Sequence, residues 1–223
     1  MNIITDCLKA DANYRHLLEA IQEKNKKIYL HVLVKESMGH ILVSIMQHLN
    51  RPIFVVSERS QRAMQLAEEV SGLAPGKAMY YPEQEFNFYN IDRLSTEVKS
   101  QRIQVMNRLS NKGTFITSTT FSAMTRYLTP LDRFNSNTIH IEIGDDIDFD
   151  DLIMQLFEMR YERVTNVEHK GQYSIRGGLL DIFPLAKDNP IRIEFFDSEV
   201  DSIRFFDITS QRSIENIDKI SIE

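Results

Sequence analysis

The chain has 223 residues, 42% of them hydrophobic and 26% charged, with few glycines and prolines. That allows one large or two small domains with a real core and argues against disorder. A net charge of −6 leaves room for no more than a local basic face, and the single cysteine, Cys7, rules out an internal disulfide framework or a cysteine-based metal site.

In chain order, residues 14–21 predict a helix with Leu17, Leu18 and Ile21 on one face. Residues 28–33, β-branched and aromatic, predict a first strand. Ile41, Leu42, Ile45, Met46 and Leu49 form a helical stripe, and the apolar run 52–56 suits a strand covered on both faces. A helix over 60–70, a strand over 78–81, a helix over 97–109, a strand over 114–117 and a short helix over 119–128 follow. This alternation predicts an α/β, doubly wound parallel-sheet domain over 1–128.

The pattern then changes. Pro130 and residues 135–137 predict a linker, and 138–143 alternates apolar with polar like a half-exposed strand. Asp148 is a candidate N-cap for a helix carrying Phe149, Leu152, Ile153, Leu156 and Phe157 on one face. Antiparallel strands are expected at 162–167, 172–183, 191–196 and 200–206, with a hairpin connection at 197–199. Together these predict a small α+β domain over 129–209. Residues 210–223 predict one more strand, starting a segment that returns to the first domain.

The first strand–loop–helix is where a doubly wound sheet holds phosphate. Here residues 34–41 offer one glycine, Gly39, followed by His40, and no Gly-Lys-Ser/Thr, while Glu36 would repel an anion. Lys35 and Ser37 remain as possible anion contacts. The six histidines show no metal-ligand spacing. The acidic run Asp145, Asp146, Asp148, Asp150 and Asp151 lacks a calcium-loop pattern and suits capping of the following helix. Gly177-Gly178, inside a strand-like stretch, suggests a bulge or a close backbone approach. No run approaches the roughly 18 apolar residues of a membrane span, and no basic region followed by an apolar stretch opens the chain, so a cytoplasmic protein without a membrane partner is expected.

An ordered set of motifs then carries a resemblance. It comprises Tyr161-Glu-Arg-Val164, Gln172-Tyr-Ser-Ile-Arg-Gly-Gly-Leu-Leu-Asp-Ile-Phe-Pro184, Ile191-Arg-Ile-Glu-Phe-Phe-Asp197, Ser202-Ile-Arg-Phe-Phe-Asp207 and Ser210-Gln-Arg-Ser213. The set resembles the second domain of bacterial transcription-repair coupling factors and the related domain of UvrB. Leu94-Ser-Thr-Glu and Gln101-Arg102 resemble the matching coupling-factor stretch of the first half. Three features favour the coupling factors over UvrB. The P-loop is degenerate. Only residues 83–93 separate the 78–81 strand from the next helix, too few for UvrB's long DNA-clamping hairpin. Ser174 stands where UvrB has the first arginine of Arg-x-Arg-Gly.

The resemblance implies a degenerate P-loop NTPase-like first domain and a second domain that docks UvrA without catalysis of its own. It implies no cofactor for this stretch. ATP and Mg would belong to motor domains elsewhere in the parent, an ATP-driven DNA translocase that also meets RNA polymerase and double-stranded DNA. The positions implied for UvrA binding are Arg163, Arg176 and Phe183. The other reading of these residues pairs the arginines with Asp181 or Glu162 across the sheet and buries Phe183 in the core. A DNA-holding module remains the alternative function, motivated by Arg51, Arg59, Arg62, Arg93, Arg102 and Arg126.

Overall fold

The computed structural model describes residues 7–23, 27–31, 37–84, 96–125 and 128–223. They fall into two compact units, one within 1–84 and 111–127, the other within 85–110 and 128–223.

In the first unit, helix α1 (Ala12–Gln22) starts at Asp11, whose carboxylate accepts from the Tyr14 N–H at 2.9 Å. Tyr14 is buried with its hydroxyl 2.8 Å from His48 Nδ1, and burial pushes its pKa up to about 12. Strand β1 (Ile53–Ser57) and strand β2 (Ala78–Tyr81) both pair in parallel with β3 (Ile116–Thr120), giving the order β1-β3-β2. Helices α2 (Met38–Leu49) and α3 (Ser60–Leu73) pack Val43, Met46, Leu66 and Val70 against Ile116, with Ile53 and Val55 beside them. Central β3 is buried throughout although its last four residues carry hydroxyls. Ser118 donates to the Ala63 carbonyl and Thr119 to the Tyr81 carbonyl, which offsets the desolvation of those polar groups. Thr120 caps the short helix α5 (Phe121–Met124).

Two expectations for this unit are corrected. β1 is not covered on both faces: α2 and α3 pack on one side, and Phe54 and Val56 stay 45% and 48% exposed. Residues 28–31 form no strand, and 32–33 lie outside the described residues. Tyr29 there is 76% exposed; without packed neighbours a β-branched and aromatic run has little to hold it extended.

The second unit includes helix α4 (Thr96–Ser110) and helix α6 (Leu131–Ser136), which occupies the stretch predicted as a linker. Strand β4 (Ile139–Glu142) precedes helix α7 (Phe149–Glu158), whose cap Asp148 accepts from the N–H groups of Asp150 and Asp151 at 2.9 and 3.1 Å. Then come β5 (Glu162–Arg163), β6 (Gln172–Arg176), β7 (Leu179–Ile182), β8 (Ile191–Phe196), β9 (Glu199–Phe206) and β10 (Ser213–Ile217). They form a six-stranded sheet in the order β10-β9-β8-β7-β6-β5. Leu152 and Leu156 of α7 pack on Leu180, Ile182, Ile191, Ile193 and Ile203, each at most 1% exposed.

Sheet details depart from the sequence reading. Residues 172–183 are a hairpin, not one strand, and turn at Gly177-Gly178. Gly177 adopts φ +60°, and a Cβ on Gly178 would lie 2.7 Å from the Phe195 carbonyl oxygen. The close-approach reading of this pair therefore stands, and a turn replaces the bulge. β5 is only two residues long and runs parallel to β6, and in the connection between them Gln172 Oε1 accepts from the Glu168 and His169 N–H groups. Residues 210–223 do not return to the first sheet. β10 pairs with β9, and β11 (Lys219–Ile222) pairs with β4, which buries Ile220 and Ile222 beside Ile141 and Ile139.

Candidate functional site

One face of the six-stranded sheet belongs to the core; the other is polar and built by strand alternation. In β8, Ile191, Ile193 and Phe195 turn to the core, so Arg192, Glu194 and Phe196 take the outer face. Register then aligns Ser174, Asp181, Arg192 and Arg204 in one row across β6 to β9, and Arg176, Leu179, Glu194 and Ser202 in the next.

Asp181 is the hub of the first row. It is 2% exposed and accepts from Arg192 Nε at 2.6 Å, Arg192 Nη2 at 2.8 Å and Arg176 Nη2 at 2.7 Å. The Arg192 guanidinium carbon sits 4.6 Å from the Phe206 ring centre, and Nη2 also donates to Gln211 Oε1 at 3.0 Å. The Asp181 hydrogen bonds raise the Arg192 pKa further, with burial pulling the other way. In the second row Glu194 accepts from Arg204 and, at 2.9 Å, from the Ser202 hydroxyl; these bonds hold its pKa below the usual carboxylate value. Ser174 is buried and its hydroxyl donates to the Thr165 carbonyl at 2.8 Å.

Two groups project from this clamped surface. The Arg176 side chain keeps half its area in solvent, and Phe196, at the end of β8, is 79% exposed. Beside Arg176 lies a cleft of about 500 Å³, flanked by Val167, His169, Ile208 and Gln211. Arginine forks and an exposed ring on one sheet face suit a protein partner, because arginine and phenylalanine supply directional bonds and apolar area.

The three residues singled out from the sequence are not brought together. Arg176 lies on the outer face and does make the cross-sheet pair with Asp181. Arg163 is exposed on edge strand β5, in register with core-facing Tyr173, so alternation puts it on the opposite side of the sheet from Arg176. Among the described residues it makes no ion pair, with Glu162 or any other group. Phe183 is 7% exposed, with the Lys170 ammonium 6.0 Å from its ring centre, so it is buried as the second reading has it. Arg192 and Phe196 were missed, although the alternation of Ile191-Arg-Ile-Glu-Phe-Phe196 already assigns both to the face away from the isoleucines.

The other candidates stay dispersed. Residues 34–36 of the first loop lie outside the described residues, and Gly39 is buried where a Cβ would come 3.3 Å from Glu69 Cβ, so it serves the close packing of α2 on α3. Asp145 accepts from the Glu142 N–H at 2.7 Å, and Asp148 caps α7, as the capping reading of that acidic run requires. Of the arginines that motivated nucleic-acid binding, Arg62 pairs with Glu69 at 2.7 Å, and Arg93 and Arg126 lie outside the described residues. Among the described residues, no helix is long and apolar enough to cross a membrane.

The UvrB interaction domain family matches residues 139–223. Over all 223 residues the chain is 34% identical to the transcription-repair-coupling factor of Bacillus subtilis (strain 168), and over 225 aligned positions 31% identical to that of Staphylococcus aureus (strain Mu50). Each alignment covers the whole of this chain and 19% of the relative, so the chain spans about a fifth of the relatives it matches.

Proposed function

We propose that this chain, whose residues 139–223 belong to the UvrB interaction domain family, is a UvrA-docking module of a transcription-repair coupling factor. The observation that carries the reading is the outer face of the six-stranded sheet, which carries Phe196 at 79% exposure and, further along, arginines ordered on a buried carboxylate. Arg176, Arg192 and Phe196 are its anchors. Arg163 stands on the other side of the sheet, and Phe183 is buried. Docking of this kind needs no catalytic group, metal or nucleotide from these residues. In the whole protein, the ATP-driven movement along DNA and the contact with RNA polymerase would belong to the four-fifths of the relatives' length that this chain does not span.

Titrating UvrA into the chain tests this by calorimetry. Saturable binding is expected, and truncating a central aromatic or arginine anchor typically costs about 2 kcal/mol or more, so Arg176→Ala/Phe196→Ala should abolish measurable heat. A silent titration with the wild-type chain would refute the reading.

A further inference from the structure

We propose that Asp181 is the positioning residue of the docking face, holding the Arg176 and Arg192 guanidinium groups in the geometry a partner meets. The inference rests on the docking reading above and deepens it. Asp181 sits on β7 between the two strands that carry the arginines, and its carboxylate is buried to 2% exposure. Both oxygens are engaged: Oδ1 takes Arg192 Nε, and Oδ2 takes Nη2 of both Arg192 and Arg176. The two guanidiniums are thus drawn to one carboxylate oxygen, a position their like charge would otherwise oppose.

The two arginines are held unequally. Arg192 is 15% exposed, stacked on Phe206 and bonded to Gln211; Arg176 has, among the described residues, its Asp181 bond, and half its side chain lies in solvent. Arg176 is therefore the group presented outward, its remaining N–H donors matched to a carboxylate on the partner. A long side chain ordered in advance loses less rotamer freedom on binding, so the buried carboxylate acts through preorganisation and never touches the partner.

This account gives a sign opposite to simple charge counting. Removing the Asp181 charge makes the face more positive, and charge alone would then tighten binding to an acidic patch. Positioning predicts the reverse. UvrA is titrated calorimetrically against the wild-type chain, Asp181→Asn, Arg176→Ala and the double variant. Asp181→Asn should weaken binding about tenfold, the scale set by re-ordering one or two freed side chains. In the Arg176→Ala background the same change should cost less than about threefold, because the group it positions is gone. Asp181→Glu, which keeps the charge, should recover part of the affinity and supplies the comparison if Asp181→Asn fails to fold cooperatively. Asp181→Asn or Asp181→Glu binding as tightly as wild type or tighter, while Arg176→Ala is weak, overturns this proposal and leaves the docking reading intact. Absence of binding by the wild-type chain removes the docking reading, and this one with it.

Discussion

The two sheets differ in what they place on the face away from their main core. In the first unit, β1 turns Ile53 and Val55 inward and leaves Phe54 and Val56 half exposed on the other side. In the second, the six-stranded sheet carries arginine–carboxylate pairs on its outer face and leaves Phe196 exposed at the end of β8. Exposure alone does not mark a binding residue, since single exposed hydrophobic side chains are normal. The setting does: an exposed aromatic on a sheet face that also carries ordered arginine forks has the composition of a binding hot spot.

Four substitutions test how far the units differ in their stake in their cores, each read by urea unfolding followed by circular dichroism. The largest effect is expected for Leu156→Ala, a fully buried contact between α7 and the large sheet, with a loss of about 2–5 kcal/mol. Gly178→Ala should follow with about 1–3 kcal/mol, since the new methyl group would drive into the Phe195 carbonyl and push β7 from β8. A loss near zero there would mean the hairpin turn is looser than its geometry.

Glu194→Gln acts through pH. Arg204 and Ser202 hold the Glu194 pKa below its ordinary 4.5, so its contribution is present above about pH 4.5 and fades as pH falls through the folded value. The glutamine variant should be slightly less stable at neutral pH, and its stability should fall less steeply on acidification. With a third of the Glu194 side chain in solvent, the effect is small. Smallest of all is Val56→Thr in the first unit, expected within about 1 kcal/mol because the side chain is half exposed. A loss as large as that of Leu156→Ala would erase the distinction between the two sheets.

Much of the second unit was legible. Asp148 as a cap, the inward face Leu152 and Leu156, the strand 191–196 and the hairpin after it follow from local chemistry and period. Where partners are distant in the chain, the sequence said less. Residues 28–31 have strand propensity but no described strand partner, and Ile220 and Ile222 chose Ile141 and Ile139 over the first sheet through pairing that no local pattern encodes. The site was half legible for the same reason. The family motifs pointed to Arg176, and alternation could have added Arg192 and Phe196. The burial of Phe183 and the separation of Arg163 depend on register across β5, β6 and β7.

The central claim, that docking belongs to the outer face of the large sheet, is tested most directly by two exposed phenylalanines of the same unit. Phe196 ends β8 on that face at 79% exposure, and Phe157 stands on α7 at 67%. Calorimetric titration of UvrA against Phe196→Ala and Phe157→Ala compares them at nearly equal loss of apolar surface. The account predicts that Phe196→Ala weakens binding by about 30-fold or more, the scale of a hot-spot anchor, and that Phe157→Ala binds as the wild type does. Binding that survives Phe196→Ala and fails in Phe157→Ala would contradict it and move the docking surface to the helix.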